Sequence, residues 1–286
     1  MTFLHRHRRL TPYLLLLPGV AWLAVFFVVP LGYLLYQSLE SGSILTGGFE
    51  FTWQFSNYSD AISAYDEQLL RSFLYAGLAT VAALVISYPL VYWIAFRAGR
   101  WKNLALLVIV APFFVTYLVR TLAWLNILAD EGPVIDLLQT VGVLGEDGRL
   151  LATTFAVVAG ITYNFLPFMA LPLYVSLEQL DPRLLEAAKD LYAGPVQAFL
   201  RVTLPLSAPG IVAGTLLTFI PAAGDFINAA LLGTPRQYMI GNVIQSRFLE
   251  QIDYPRAAAL SFVLMALILV ALLLYARAVG TERLTG

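Results

Sequence analysis

The chain has 286 residues, of which 59% are hydrophobic and only 12% charged, with a formal net charge of -1 and a mean hydropathy of +0.77. Soluble domains carry about 25% charged residues, so about half of the usual polar surface is missing and a water-exposed globule of this length is hard to build. There are no cysteines, and the two histidines, His5 and His7, lie in the first ten residues. A disulfide scaffold, a thiol nucleophile, a Cys-ligated metal and a His-based site inside the membrane are therefore excluded.

A membrane helix needs about 20 mostly apolar residues. Six stretches meet this, at about residues 13–36, 72–96, 103–128, 152–177, 208–232 and 257–277, within a single membrane domain over residues 1–286. The expected fold class is an all-α polytopic membrane protein. The first stretch follows Arg6, Arg8 and Arg9 as a secretory signal would, but it is longer than a signal core and no A-x-A-like site follows it, so it reads as an uncleaved first helix. Within the interiors of the spans only two charges remain, Arg120 in the third and Asp225 in the fifth.

Orientation follows from Lys and Arg, which concentrate in short cytoplasmic connections. With both termini cytoplasmic, eleven basic residues face inward, from Arg6 to Arg283, and five face outward: Arg71, Arg149, Arg236, Arg247 and Arg256. Twelve acids, among them Glu40, Asp60, Glu146 and Asp253, fall outside, so five bases against twelve acids leave the outer face near -7. Such a face attracts a cationic solute or a basic partner; avoidance of positive charge on translocated loops gives the same pattern. In the first outer loop, Phe49 to Phe55 alternates aromatic and polar residues, as a short strand or an interfacial segment would.

The longest inner connection, residues 178–205, is helical in composition. Asp181 suits an N-cap and Pro182 the first helical position, with Leu184, Leu185, Ala188 and Leu191 at helical spacing on one side. Gly194-Pro195 is expected to end that helix, and a second short one to run from Val196 to Arg201. Glu186-Ala187-Ala188, with Val202 and Leu204-Pro205 at the matching spacing, closely resembles the EAA loop of type I ABC transporter permeases. Tyr192 stands where that pattern has Gly, with Gly194 two residues on. Tyr163 to Met169, Leu180-Asp181-Pro182, Pro209-Gly210-Ile211 and Met239 to Ile244 extend the likeness to the B-type permease subunits of spermidine/putrescine importers.

The resemblance implies a type I importer (MetI-like) fold with six transmembrane helices in a bacterial inner membrane. It implies a second homologous permease as heterodimer partner, two cytoplasmic ATPase subunits carrying ATP and Mg, and an extracytoplasmic solute-binding protein. No cofactor, metal or nucleic acid is expected on this chain, whose remaining neighbour is lipid. It also implies that the segment Glu186, Ala187, Ala188, Lys189, Asp190, Leu191, Tyr192, Ala193 and Gly194 is a coupling helix seated in the ATPase.

An acid in a membrane helix costs about 2.5 to 3.5 kcal/mol on insertion scales and usually faces a cavity or a partner. Asp225 follows Pro221 and Gly224, both able to interrupt a helix and free carbonyls beside the carboxylate. It is either a receiving site for a cation or half of an ion pair with Arg120. Tyr163 and Asn164 in the fourth span line a path, the ring offering its face to an ammonium group, or bond between helices. Trp124 and Asn126 are path residues or interfacial anchors; Asn228 completes the candidate pathway set of Asp225, Tyr163, Asn164, Trp124 and Asn228. Tyr238 to Phe248 is either a gate beneath the binding protein or a surface helix on the membrane.

No Gly-x-x-x-x-Gly-Lys-Ser/Thr pattern occurs, so the chain does not bind ATP in that way. The spans hold no paired acids, His ligands or Ser–Lys set, so no catalytic residues are expected. The function expected is import of a small organic cation, with spermidine or putrescine foremost. The alternatives are the same transporter class for a phosphonate, sugar, thiamine or ferric ion, and a secondary carrier, which would have no use for the cytoplasmic loop.

Overall fold

A computed structural model describes residues 11–44, 47–145 and 147–279. The N-terminal group His5, Arg6, His7, Arg8 and Arg9 lies outside the described residues, as do Glu146 and Arg283. Among the described residues, four helices are long and apolar enough to cross a membrane: Leu15–Ser38, Asp66–Phe96, Thr154–Glu178 and Tyr254–Arg277. Two pairs pass the same test only jointly: Gly99–Phe114 with Tyr117–Ile127, bent by 99°, and Pro195–Leu206 with Ala208–Ala223, bent by 63°. Counting each bent pair as one span gives up to six.

The 63° bend falls at Ser207, ahead of the stretch expected at 208–232, but neither the stretch at 103–128 nor the one at 208–232 is a continuous helix. In the first, Pro112 lacks an N–H, the chain tightens into a 3-10 turn at Ala111–Phe114, and Val115 and Thr116 are extended. In the second, Pro221 stays inside the Ala208–Ala223 helix, and the break comes at Gly224, before a short helix Ile227–Leu232.

The chain divides into two compact units. The first holds the chain up to Ala64 with Ile244–Val263. Beside its helices it carries an antiparallel hairpin of strands Glu40–Ser43 and Gly48–Phe51, with Glu40 opposite Phe51 and Ser43 opposite Gly48. The alternating aromatics form a ladder: Tyr36 stacks on Phe51 at 4.6 Å, Phe51 meets Trp53 at 4.9 Å, and Trp53 meets Phe55 at 6.1 Å. Buried Asn57 donates to the carbonyls of Ser38 at 3.0 Å and Glu40 at 2.9 Å, fixing the hairpin to the helix end. Glu40, Asp60 and the Arg247–Asp253 ion pair border a recess of about 590 Å³, and burial pushes the Glu40 carboxyl above its ordinary value.

The second unit holds Tyr65–Val243 and the chain from Leu264. Its centre is the Thr154–Glu178 helix, packed against Asp66–Phe96 and Ala208–Ala223. One apolar cluster joins Tyr75, Ala79, Ile161, Phe165, Ala222 and Leu232; another joins Tyr88, Val91, Ile94, Leu173 and Leu177. Lipid is as apolar as these side chains, so close backbone approach and dispersion do the work that water does for soluble cores. Small residues make that approach possible. A Cβ on Gly210 would sit 2.6 Å from Ser176 Oγ and 2.7 Å from the Pro172 carbonyl, and one on Gly214 would sit 2.9 Å from the Met169 carbonyl.

Gly210→Ala should therefore lower stability by about 1 to 3 kcal/mol through overpacking, measured as thermal unfolding in detergent. Gly77→Ala, where nothing lies within 4 Å, should lose nothing, because Ala favours a helix interior over Gly. Equal behaviour of the two variants would contradict the close-packing account.

Candidate functional site

The two helix breaks meet at one polar cluster. Asp225 lies in the gap between Ala208–Ala223 and Ile227–Leu232 and is only 7% exposed. Its carboxylate accepts the hydroxyl of Tyr117, the first residue after the extended pair Val115-Thr116. Asn228 donates to it twice, from its backbone N–H to Oδ1 at 2.9 Å and from Nδ2 to Oδ2 at 3.1 Å; the same Nδ2 reaches the Tyr117 hydroxyl at 2.5 Å. Beyond this, Thr121 Oγ1 donates to Asn228 Oδ1 at 3.3 Å, and Asn164 Nδ2 reaches both Thr121 Oγ1 and Asn228 Oδ1 at 3.2 Å. A buried carboxylate is tolerated only when its lone pairs are met, and here two segments of chain meet them, one carrying Tyr117 and one carrying Asn228.

The ion pair with Arg120 does not form. Arg120 is buried, with Nη1 3.4 Å from the Asn164 carbonyl and its guanidinium over the rings of Phe113 at 5.8 Å and Tyr117 at 5.5 Å. Among the described residues no carboxylate comes within 4.0 Å of it, and its Nε has no partner. Ring faces stabilise the cation in place of an acid, which leaves Asp225 without an ion-pair partner among the described residues.

Of the expected pathway residues, Asp225, Asn164 and Asn228 come together. Tyr163 and Trp124 do not join them; their rings pair edge to face at 5.6 Å, and Trp124 packs against the core while Asn126 is exposed. Tyr117 and Thr121 escaped notice. The available signal was their spacing with Arg120: positions i, i+3 and i+4 place three polar side chains on one face of an otherwise apolar helix. The segment from Tyr238 to Phe248 is buried in its first part and exposed at Phe248. Met239 and Ile240 are fully buried, and a Cβ on Gly241 would lie 2.6 Å from the Gly224 carbonyl. Asn242 donates to the Phe226 carbonyl at 2.7 Å, satisfying backbone that the break exposes.

The cytoplasmic loop folds as two short helices. Asp181 caps the first, Pro182–Asp190, by accepting the Arg183 N–H at 2.9 Å. That helix ends at Asp190, not at Gly194-Pro195, because Tyr192 takes the left-handed conformation at φ 63°. The Tyr192 N–H bonds to the Lys189 carbonyl at 2.9 Å and the Ala193 N–H to the Ala188 carbonyl at 3.0 Å, the bonding pattern of a Schellman turn, whose left-handed position usually holds Gly. Gly194, at φ -65°, instead starts the second helix, whose α-helical part is Pro195–Ala198, followed by a π turn at Phe199–Thr203. Leu185 and Ala188 face inward, whereas Leu184 and Leu191 are exposed, as are Glu186, Ala187, Lys189, Asp190 and Gly194; Ala193 is half-buried. The Tyr192 ring is 97% exposed. Leu180, Phe199 and Leu204 tie the loop to the cluster around Leu173 and Leu177, and Lys102 pairs with Glu178 beside it.

A non-glycine residue in the left-handed region carries about 1 kcal/mol or more of strain. Tyr192→Gly should therefore stabilise the turn by about 1 kcal/mol, seen as slower amide exchange at Ala193 in the purified protein. Unchanged or faster exchange would contradict the strain.

Over residues 8–279 the chain matches the family described as binding-protein-dependent transport system inner membrane component. The spermidine/putrescine transport system permease protein PotB of Haemophilus influenzae is 37% identical over 90% of this chain and 90% of its own. The protein of the same name from Escherichia coli K12 is 36% identical over 91% and 94%. Among solved structures, a chain of a bacterial alginate ABC transporter in complex with an alginate pentasaccharide-bound periplasmic protein superposes with a TM-score of 0.70, at 17% identity and full coverage of both chains, which is a likeness of fold. The chain thus belongs to the inner-membrane permease components of binding-protein-dependent transport systems.

Proposed function

We propose that the chain is a non-catalytic permease subunit of an ATP-driven ABC importer and that it forms, as a heterodimer with a second, homologous permease, the path for a small organic cation, spermidine or putrescine. One observation carries the substrate class: Asp225, an acid with no ion-pair partner among the described residues, sits where two broken spans meet. Relatives named for spermidine and putrescine transport, at 36 to 37% identity over some 90% of the chain, support the same reading.

In this scheme an extracytoplasmic binding protein delivers the solute. Two cytoplasmic ATPase subunits hold ATP and Mg and supply the energy. The segment Glu186 to Gly194 seats against an ATPase and moves as a rigid body when the nucleotide site closes. Its fitness for that role lies in exposure at the tip and firm packing at the root: Glu186, Leu191 and Tyr192 are free to meet a partner, while Leu180 and Phe199 are held in the core. At the other end Asp225 receives an ammonium group, with Asn164 and Asn228 as neutral hydrogen-bonding neighbours.

Reconstituted with its partners, the complex should show ATPase stimulation by polyamine-loaded binding protein, and silence across polyamines would sink the substrate class. Asp225→Asn should cut that stimulation about 10- to 100-fold, the loss expected for a charged hydrogen bond. Deleting Glu186 to Gly194 should abolish transport while the chain still assembles in the membrane; intact transport would favour a secondary carrier.

A further inference from the structure

The Tyr117 hydroxyl holds the Asp225 carboxylate. Among the described residues, the other donors to the carboxylate are Asn228 and the Ala229 backbone, three and four positions along the same segment. Tyr117 alone reaches it from elsewhere in the chain, 108 positions away. Both residues sit at breaks, Tyr117 where the third span turns by 99° and Asp225 after the Ala208–Ala223 helix ends. The hydroxyl, with the Thr121–Asn228 bond one turn on, therefore ties two discontinuous spans together, and a discontinuous span is the part of a membrane protein able to move without unwinding a helix.

The hydroxyl donates to Oδ2, with Oδ1 held by the Asn228 backbone. A primary ammonium group is also a donor, with three hydrogens and a full charge against the hydroxyl's one hydrogen and none. It can take the Tyr117 place on Oδ2 and leave the Asn228 bond to Oδ1 intact. The Arg120 guanidinium lies 5.5 Å from the Tyr117 ring centroid, so this cation is kept on the ring and off the carboxylate. An anion is repelled by the carboxylate, and a sugar hydroxyl is a neutral donor no stronger than the one it would replace, so the exchange favours a cation.

We propose that Tyr117 is a specificity-determining latch: it occupies Asp225 in the solute-free permease, and the solute's ammonium group opens the site by replacing it. This rests on Asp225 being the cation site. Opening then requires breaking a bond that the free protein has already made, and the apparent affinity for solute is reduced by the latched fraction.

The test uses the assembled complex of both permeases and the ATPases in nanodiscs, without binding protein, titrated with free putrescine and read as ATPase rate. Tyr117→Phe keeps the ring and removes the hydroxyl. The half-maximal putrescine concentration should fall about tenfold relative to wild type, and in an Asp225→Asn background the same substitution should leave the midpoint where it was. A merely structural role for Tyr117 would lower the maximal rate and the melting temperature without moving the midpoint to lower concentration. A Tyr117→Phe curve that overlays the wild type, shifts to higher concentration or stays flat overturns the latch. If Asp225→Asn alone responds like the wild type, the cation site itself is wrong, whereas a dead Asp225→Asn with an unshifted Tyr117→Phe removes only the latch.

Discussion

A carboxylate inside a membrane span must be answered by the protein around it, and Asp225 organises the second unit accordingly. Its lone pairs draw a hydroxyl from the third span, an amide and a backbone N–H from Asn228, and through Asn228 the side chains of Thr121 and Asn164. Those residues reach it only because two spans are interrupted there, since a straight helix would present one side chain per turn and keep its backbone to itself. The interruptions in turn leave carbonyls without helical partners, which a bilayer cannot hydrate. Asn242 meets one of them, at Phe226, and the segment that carries it is drawn into the core. The acid, the breaks and the buried Met239-Ile240 segment form one linked solution.

Much of this was legible from residue order. Scarce, unevenly placed charge marked the membrane spans and singled out Arg120 and Asp225; Asp181-Pro182 marked the start of the cytoplasmic helix, and the cap forms as their chemistry dictates. What could not be read is long-range. The spacing of Tyr117 with Arg120 and Thr121 marks a polar face, but nothing local names its partner, which lies 108 positions away. The pairing of Arg120 with Asp225 was a sound guess from charge, but aromatic faces at Phe113 and Tyr117 offered the guanidinium another place.

The loop end of the first cytoplasmic helix shows a different limit. Gly194-Pro195 carries the usual composition of a helix stop, yet the helix turns two residues earlier, at Tyr192. Propensity ranks residues for a conformation; it does not say where the chain must turn. Here the two backbone bonds of Tyr192 and Ala193 hold the turn, and the Gly is used to begin the next helix. A tyrosine kept under strain with its ring almost wholly exposed has its side chain free for contact outside the chain, while its backbone carries the turn.

The Thr154–Glu178 helix bears Asn164 of the polar cluster and Leu177 of the cluster that anchors the cytoplasmic loop. Thirteen residues separate the two, about 20 Å at 1.5 Å per residue. As a stiff rod, a tilt of ten degrees at one end would carry the other by roughly 3 Å on that length, the scale of one hydrogen bond. The rod is not uniform: Pro167 and Pro172 lie between the two points, and each removes a backbone bond. Mechanically, this span is a lever whose two weakest backbone points lie between Asn164 and the end that anchors the loop.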